Sequence, residues 1–227
     1  MTPIIKTNLA NRQNYGGART ASQIKYIVIH YTANDGDHDE GNANYFKNNV
    51  VKASAHYFVD DDSITISVPD LFTAWAVGGT KWKDCATTGG GTMYGKITNA
   101  NSISIEMCDT QKDGTLKATE KTMANTAALV KDLMKRYNVP IENVYRHFDV
   151  TGKHCPAYFM NHTAWAEFKE RLKDDPALKG IPEWALPTVK KLIAHGSLKG
   201  DSKGDLNLSN DMLRMLVIND REGLYGK

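Results

Sequence analysis

The run Arg146-His147-Phe148-Asp149-Val150-Thr151-Gly152-Lys153-His154-Cys155-Pro156 sets an imidazole and a thiol eight positions apart. Both are good ligands for zinc, whose catalytic sites combine three protein ligands with one position open to water. Between them lies a short Asp/Thr/Gly segment that reads as a loop, with Lys153 two residues before the thiol. Such a site needs a third ligand from elsewhere, and His30 is the candidate. It ends the β-branched, apolar run that starts at Ile24 and includes Tyr26-Ile27-Val28-Ile29, which reads as a buried strand. The chain then turns polar at Thr32-Ala33-Asn34-Asp35-Gly36. A ligand at a strand end is held by rigid backbone and still faces an open site.

The other histidines fit less well. His38 lies in the acidic loop 35–40 and reads as solvated; His162 and His195 fall in helix-like stretches. His154 adjoins Cys155 and is expected to point away from a metal held by its neighbour. His56, in Ala55-His56-Tyr57-Phe58-Val59, reads either as a packed strand residue or as a site residue.

Four segments, in order, resemble those of the zinc-dependent N-acetylmuramoyl-L-alanine amidases of type 2. That family includes bacteriophage endolysins and animal peptidoglycan recognition proteins. The segments are Tyr26-Ile27-Val28-Ile29-His30-Tyr31-Thr32, Ser54-Ala55-His56-Tyr57-Phe58-Val59-Asp60, Asn101-Ser102-Ile103-Ser104-Ile105-Glu106-Met107-Cys108, and Arg146-His147-Phe148-Asp149 through Cys155-Pro156. They span residues 20 to 173, and the last is the most specific. Within the family the likeness is greatest to lysins of phages and prophages that infect Gram-positive bacteria.

The resemblance implies Zn2+ held by His30, His147 and Cys155, and catalytic roles for Glu106 and Lys153. The implied substrate is peptidoglycan, cut at the amide between the lactyl group of N-acetylmuramic acid and L-Ala of the stem peptide. Two departures stand out. Many relatives carry His after the Trp of the segment matching Ala74-Trp75-Ala76-Val77-Gly78-Gly79, where this chain has Ala76. Several carry a catalytic Tyr where this chain has His56, which would serve there as a hydrogen-bond donor to substrate.

The chemistry of these residues suits hydrolysis. Zinc lowers the pKa of a bound water to about 7. A carboxylate at Glu106, on the more polar side of its strand, can take the proton of attacking water and pass it to the leaving amine. The Lys153 ammonium can stabilise an oxyanion. Asp149 and Thr151 are expected to shape the turn between the ligands through side-chain to backbone bonds, with Asp149 alternatively orienting a ligand His. Trp75 and Trp82, near the Gly-rich stretch 89–91, would line a substrate groove or anchor their loops.

Composition bounds the alternatives. A chain of 227 residues with 41% hydrophobic content can build one medium domain and a small one. A net charge of +2 and no basic run interleaved with aromatics argue against a nucleic-acid partner. No apolar run is long enough to span a membrane, and the start Met1-Thr2-Pro3-Ile4-Ile5-Lys6 lacks the pattern of a secretory signal. The three cysteines, Cys85, Cys108 and Cys155, suit a reducing compartment. With Cys155 on zinc, Cys85 and Cys108 are expected as buried free thiols, a bridge between them being the alternative. These features suggest a protein made in the cytoplasm that meets the wall after holin-type release or from outside. Two other functions compete: a non-catalytic peptidoglycan-binding module of the same fold, and a phage interaction protein that inhibits a host polymerase.

The expected architecture is α/β, a central mixed sheet flanked by helices, with a small C-terminal helical module. Residues 1–23 read as a tail or loop. Strands are expected up to His30, over 56–59 and 63–68 as a hairpin about Asp60-Asp61-Asp62, over 102–107 and at 144–145. Helices are expected over 40–50, 119–137 and 163–172, and 78–101 reads as a long loop. The boundaries predicted are 1–173 for the catalytic domain, 174–180 for a linker and 181–227 for the module. That module has one helix opened by Pro182 and a second over 211–219 capped by Ser209 or Asn210. It is expected to bind cell wall or to dimerise.

Overall fold

The computed structural model describes residues 3–226. The chain divides into two compact units, Met1–Leu172 and Lys173–Lys227. In order, the first contains β1 (Ile4–Thr7), β2 (Tyr15–Ala18), β3 (Tyr26–Tyr31), α1 (Asp39–Asn48), β4 (Tyr57–Val59), β5 (Ser63–Ile66), β6 (Phe72–Ala74) and α2 (Cys85–Thr88). There follow β7 (Ser102–Met107), α3 (Glu120–Tyr137), β8 (Val144–Arg146), α4 (His147–Thr151) and α5 (His162–Glu170). Six strands form a mixed sheet in the order β1-β5-β4-β7-β3-β8, parallel except for the β4–β5 hairpin.

The centre of this sheet is buried on both sides, as parallel strands require. Ile27, Val28 and Ile29 of β3 are each fully buried. Ile27, Ile29, Ile103 and Ile105 share one core with Met123, Ala127, Val130 and Leu133 of α3. On the other face Val28 meets Val77, Ile97 and Val150, while Phe58 meets Ala43 and Phe46 of α1. The α3 stripe recurs at helical spacing. Thr119 starts this helix by accepting the N–H of Thr122, and Asn138 ends it in a left-handed conformation.

Two expectations change here. Residues 4–7 and 15–18 are strands: β1 adds to the sheet beside β5, and β2 pairs with β6 in a separate ribbon. Their partners lie far along the chain, so no local pattern marks them. The segment after His147 is a helix, α4, and not a loop throughout. On β7 the more polar face is also covered, with Ser102 and Ser104 buried.

The second unit holds α6 (Leu186–Ala194) and α7 (Asn210–Arg221). The first helix begins at Leu186, with Pro187 in its first turn, and not at Pro182. Residues 182–185 close a turn through the Ala185 N–H to the Pro182 carbonyl. Ser209 caps α7 by accepting the Met212 N–H. Ala185, Val189, Leu213 and Val217 form the small core. No helix among the described residues is long and apolar enough to cross a membrane.

Candidate active site

Strand register brings the site together. His30 on β3 stands beside Glu106 on β7, and Ile29 stands beside Arg146 on β8. His147 therefore follows in the row of His30. Side chains paired across parallel strands share a face, so His30 and Glu106 project to the same side at the carboxyl ends of their strands. Open α/β sheets commonly bind ligands at that edge.

After His147 the chain makes one short helix and turns back at Gly152, whose φ is +88°. A side chain there would meet the Cys85 sulfur at 2.2 Å. This close approach, with the left-handed backbone, makes glycine necessary. The turn returns Cys155 to α4, where the Phe148 N–H donates to the Cys155 carbonyl at 3.0 Å.

As a result, one ligand atom each of His30, His147 and Cys155 lies within 4.8 Å of the others, and all three residues are buried. The Cys155 Sγ is 3.9 Å from His30 Nδ1. Glu106 Oε1 is also 3.9 Å from that nitrogen. His30 Nε2, His147 Nδ1 and Glu106 Oε2 are buried with no hydrogen-bond partner. Buried polar atoms without partners are costly, and two imidazoles with a thiol make a donor set able to hold a metal ion.

The electrostatics agree with that chemistry. Burial drives the His30 pKa well below its ordinary value, with His147 and Lys153 adding to the effect. Burial, then Lys153, brings His147 down to about 4. Both rings are thus neutral, as metal ligands must be. Burial, followed by Glu106, pushes the Cys155 thiol up to about 12 against a backbone hydrogen bond from Tyr31 and the charge of Lys153. A bound metal would displace that proton. Burial pushes Glu106 up to about 8, opposed by Lys153 and assisted by Asp37. Lys153 itself is exposed, and its charge acts on His30, Glu106, His147 and Cys155 alike.

The remaining sequence candidates fall in different places. His56 is fully buried, which fits the packed strand residue of the two readings its sequence left open. Its Nδ1 accepts the Ser104 N–H at 3.0 Å, and its Nε2 lies 3.1 Å from the Phe72 carbonyl and 2.8 Å from Arg19 Nη2. Trp82 is 43% exposed and sits on the ligand-bearing turn. Its backbone N–H donates to the Thr151 carbonyl at 2.8 Å, and its ring lies 5.4 Å from that of His154. Trp75 is half-buried, with Nε1 close over Gly16. Ala76 gives its N–H to Asn99 Oδ1. His154 Nε2 lies 3.1 Å from Asp84 Oδ2. Cys85, Cys108 and Cys155 are all free and buried.

One arrangement was missed. Asp149 grips Arg146, and no hydrogen bond joins it to His30 or His147 among the described residues. Arg146 Nη2 donates to Asp149 Oδ1 at 2.6 Å and Nε to Oδ2 at 3.0 Å. The signal was present as opposite charges three residues apart on a helix start.

A family model described as N-acetylmuramoyl-L-alanine amidase matches residues 20–158. The N-acetylmuramoyl-L-alanine amidase BlyA of Bacillus subtilis (strain 168) is 32% identical over 194 residues, covering 81% of this chain and 51% of BlyA. The chain thus spans about half the length of that curated relative. The solved catalytic domain of XlyA is 30% identical with a TM-score of 0.58, over 74% of this chain and 99% of that one. A mutant endolysin from Bacillus subtilis is likewise 30% identical, with a TM-score of 0.58 over 75% of this chain and 99% of its own.

Proposed function

This chain belongs to the N-acetylmuramoyl-L-alanine amidase family, and from that premise we propose that it hydrolyses the amide between N-acetylmuramic acid and the L-Ala of the stem peptide in peptidoglycan. One observation carries the reading. His30, His147 and Cys155 converge in a buried group beside Glu106, with unpartnered nitrogens on both rings. The donor set fits zinc, which prefers nitrogen and sulfur in tetrahedral geometry.

In this reading the three side chains hold Zn2+ and leave a position open towards substrate. Zinc bound there would make water reactive near neutral pH and polarise the scissile carbonyl. Glu106 takes the proton of the attacking water and delivers it to the leaving L-Ala nitrogen. Its place 3.9 Å from His30 Nδ1 sets the carboxylate beside the water that zinc would hold, within reach of both transfers. Lys153 lends its positive charge to the oxyanion of the tetrahedral intermediate. Trp82, exposed beside the ligand-bearing turn, forms one wall of the groove for sugar or peptide. The likeness to an endolysin supports a role in lysis of the cell wall, reached after holin-type release or from outside. Residues 1–173 would carry the chemistry, with 174–180 as a linker. The module 181–227 would target the chain to the wall or dimerise.

Mass spectrometry of digested peptidoglycan tests the reading. New free N-terminal alanine is expected; new reducing sugar ends would replace amidase with glycosidase.

A further inference from the structure

The segments that leave β3 and β7 carry a second acidic group that the proposed hydrolysis does not use. One carboxylate oxygen from each of Asp35, Asp109 and Asp113 lies within 4.8 Å of the others. Asp35 and Asp113 are exposed, but Asp109 is only 3% exposed. Asp109 Oδ1 accepts the Gln111 N–H at 3.1 Å, while Oδ2 is buried with no hydrogen-bond partner. None of the three carboxylates forms an ion pair among the described residues. Lys112, which lies between two of them in sequence, has its Cβ against Gly36. Nearby Asp37 is satisfied: Oδ1 accepts the Asp109 N–H, and Oδ2 accepts from Asn34 and Asn42.

This is an unfavourable arrangement for the protein alone. Three carboxylates converge, and one has a buried oxygen with no hydrogen-bond partner in the protein. Burial, and after it the charges of Asp113, Asp35 and Asp37, hold the Asp109 carboxyl above its usual range against the Gln111 hydrogen bond. Asp35 Oδ1 accepts the Gly114 N–H at 2.8 Å and Asp113 Oδ1 the Thr115 N–H at 2.9 Å, whereas the buried Oδ2 of Asp109 is left without a partner by the fold and by the proposed reaction.

We propose that Asp35, Asp109 and Asp113 bind a divalent cation, and that the cation is Ca2+. The donors are all oxygen, which suits a hard ion and not zinc. Calcium accepts six to eight oxygens in flexible geometry, so carboxylates at exposed positions serve, whereas Mg2+ demands a rigid octahedron. Two exposed ligands place the affinity in the range of extracellular modules, about 10⁻⁴ to 10⁻³ M. The position gives the ion a consequence. Asp35 lies five residues beyond His30, and Asp109 three beyond Glu106. Calcium would tie together the two segments that emerge from these neighbouring site strands.

The test is calcium titration of the full chain without other added metal, read by calorimetry and by thermal unfolding. The wild type is expected to bind one Ca2+ per chain and to melt higher as Ca2+ rises to about 10 mM. Mg2+ at equal concentration is expected to do much less. Asp113→Asn, at an exposed position that does not threaten folding, should weaken calcium binding at least about tenfold. Asp109→Asn should abolish binding, yet melt at or above the wild type when calcium is absent, because a buried charge is gone. No calcium binding by the wild type at about 10 mM would overturn the proposal. So would binding left unchanged by Asp113→Asn. Neither readout depends on hydrolysis, so failure here leaves the amidase reading untouched.

Discussion

Asp149→Ala probes how the turn between His147 and Cys155 is held. Arg146 directly precedes His147, and its side chain is 6% exposed; that of Asp149 is 12% exposed. The two form a forked pair at 2.6 and 3.0 Å, and Asp149 Oδ2 also accepts the Arg146 backbone N–H at 2.8 Å. The remaining guanidinium donor, Nη1, reaches the Phe159 carbonyl at 2.6 Å. The guanidinium lies 4.9 Å from the Phe148 ring centroid and 5.5 Å from that of Trp165. Removing the carboxylate strands a positive charge in this apolar setting. Breaking a buried pair costs about 3–5 kcal/mol, and the lost helix-start acceptor adds about 1 kcal/mol. The sum is a large part of the roughly 5–15 kcal/mol that stabilises a typical domain. Urea unfolding should show a sharp fall in midpoint. An Arg146→Met/Asp149→Leu double variant should regain most of the loss, because no charge is left unpaired. A cost below about 1 kcal/mol for Asp149→Ala would refute the reasoning. A double variant no more stable than the single would do so as well.

Three further outcomes are expected. Glu106→Gln should keep its metal and lose about 10²–10⁴ in turnover, measured on soluble muropeptide; an unchanged rate would remove its role as proton carrier. His56 is kept neutral by burial, then by Arg19, with its pKa lowered from 6.5 to about 3. The unfolded state therefore binds more protons between those values. The contribution is complete above pH 6.5 and falls away as pH drops towards 3, by about 1.4 kcal/mol per unit. A folded His56→Asn variant should lack that slope in acid unfolding curves, and an equal slope would place its origin elsewhere. Deleting residues 176–227 should weaken binding to intact walls more than cleavage of soluble muropeptide, and equal losses would make the second unit structural.

The parts of the fold with strong periodicity were legible in the sequence. The apolar run to His30, the alternation over 102–107 and the helical stripe of Met123, Ala127 and Val130 each became the element expected. The spacing of His147 and Cys155 stood out as a candidate donor pair, His30 by its place at a strand end and Glu106 by the family likeness; strand register sets these residues side by side. What escaped notice depends on distant partners. β1 is a strand because β5 lies beside it. His56 is a core residue because Arg19, 37 positions away, and Ser104 surround it. The two helix starts at His147 and Leu186 differ from expectation because a short turn of helix and a turn of loop have nearly the same composition. The grip of Asp149 on Arg146 was spelled out by charge and spacing, but the burial that gives it weight comes from Phe159 and Trp165 closing over it.

The most direct measurement is elemental analysis of purified full-length chain alongside Cys155→Ala and His30→Ala. About one zinc per chain is expected for the wild type, with loss of that zinc in both variants while each remains folded by circular dichroism. A wild type without stoichiometric zinc, or a Cys155→Ala chain that retains all of it, would contradict the proposed centre.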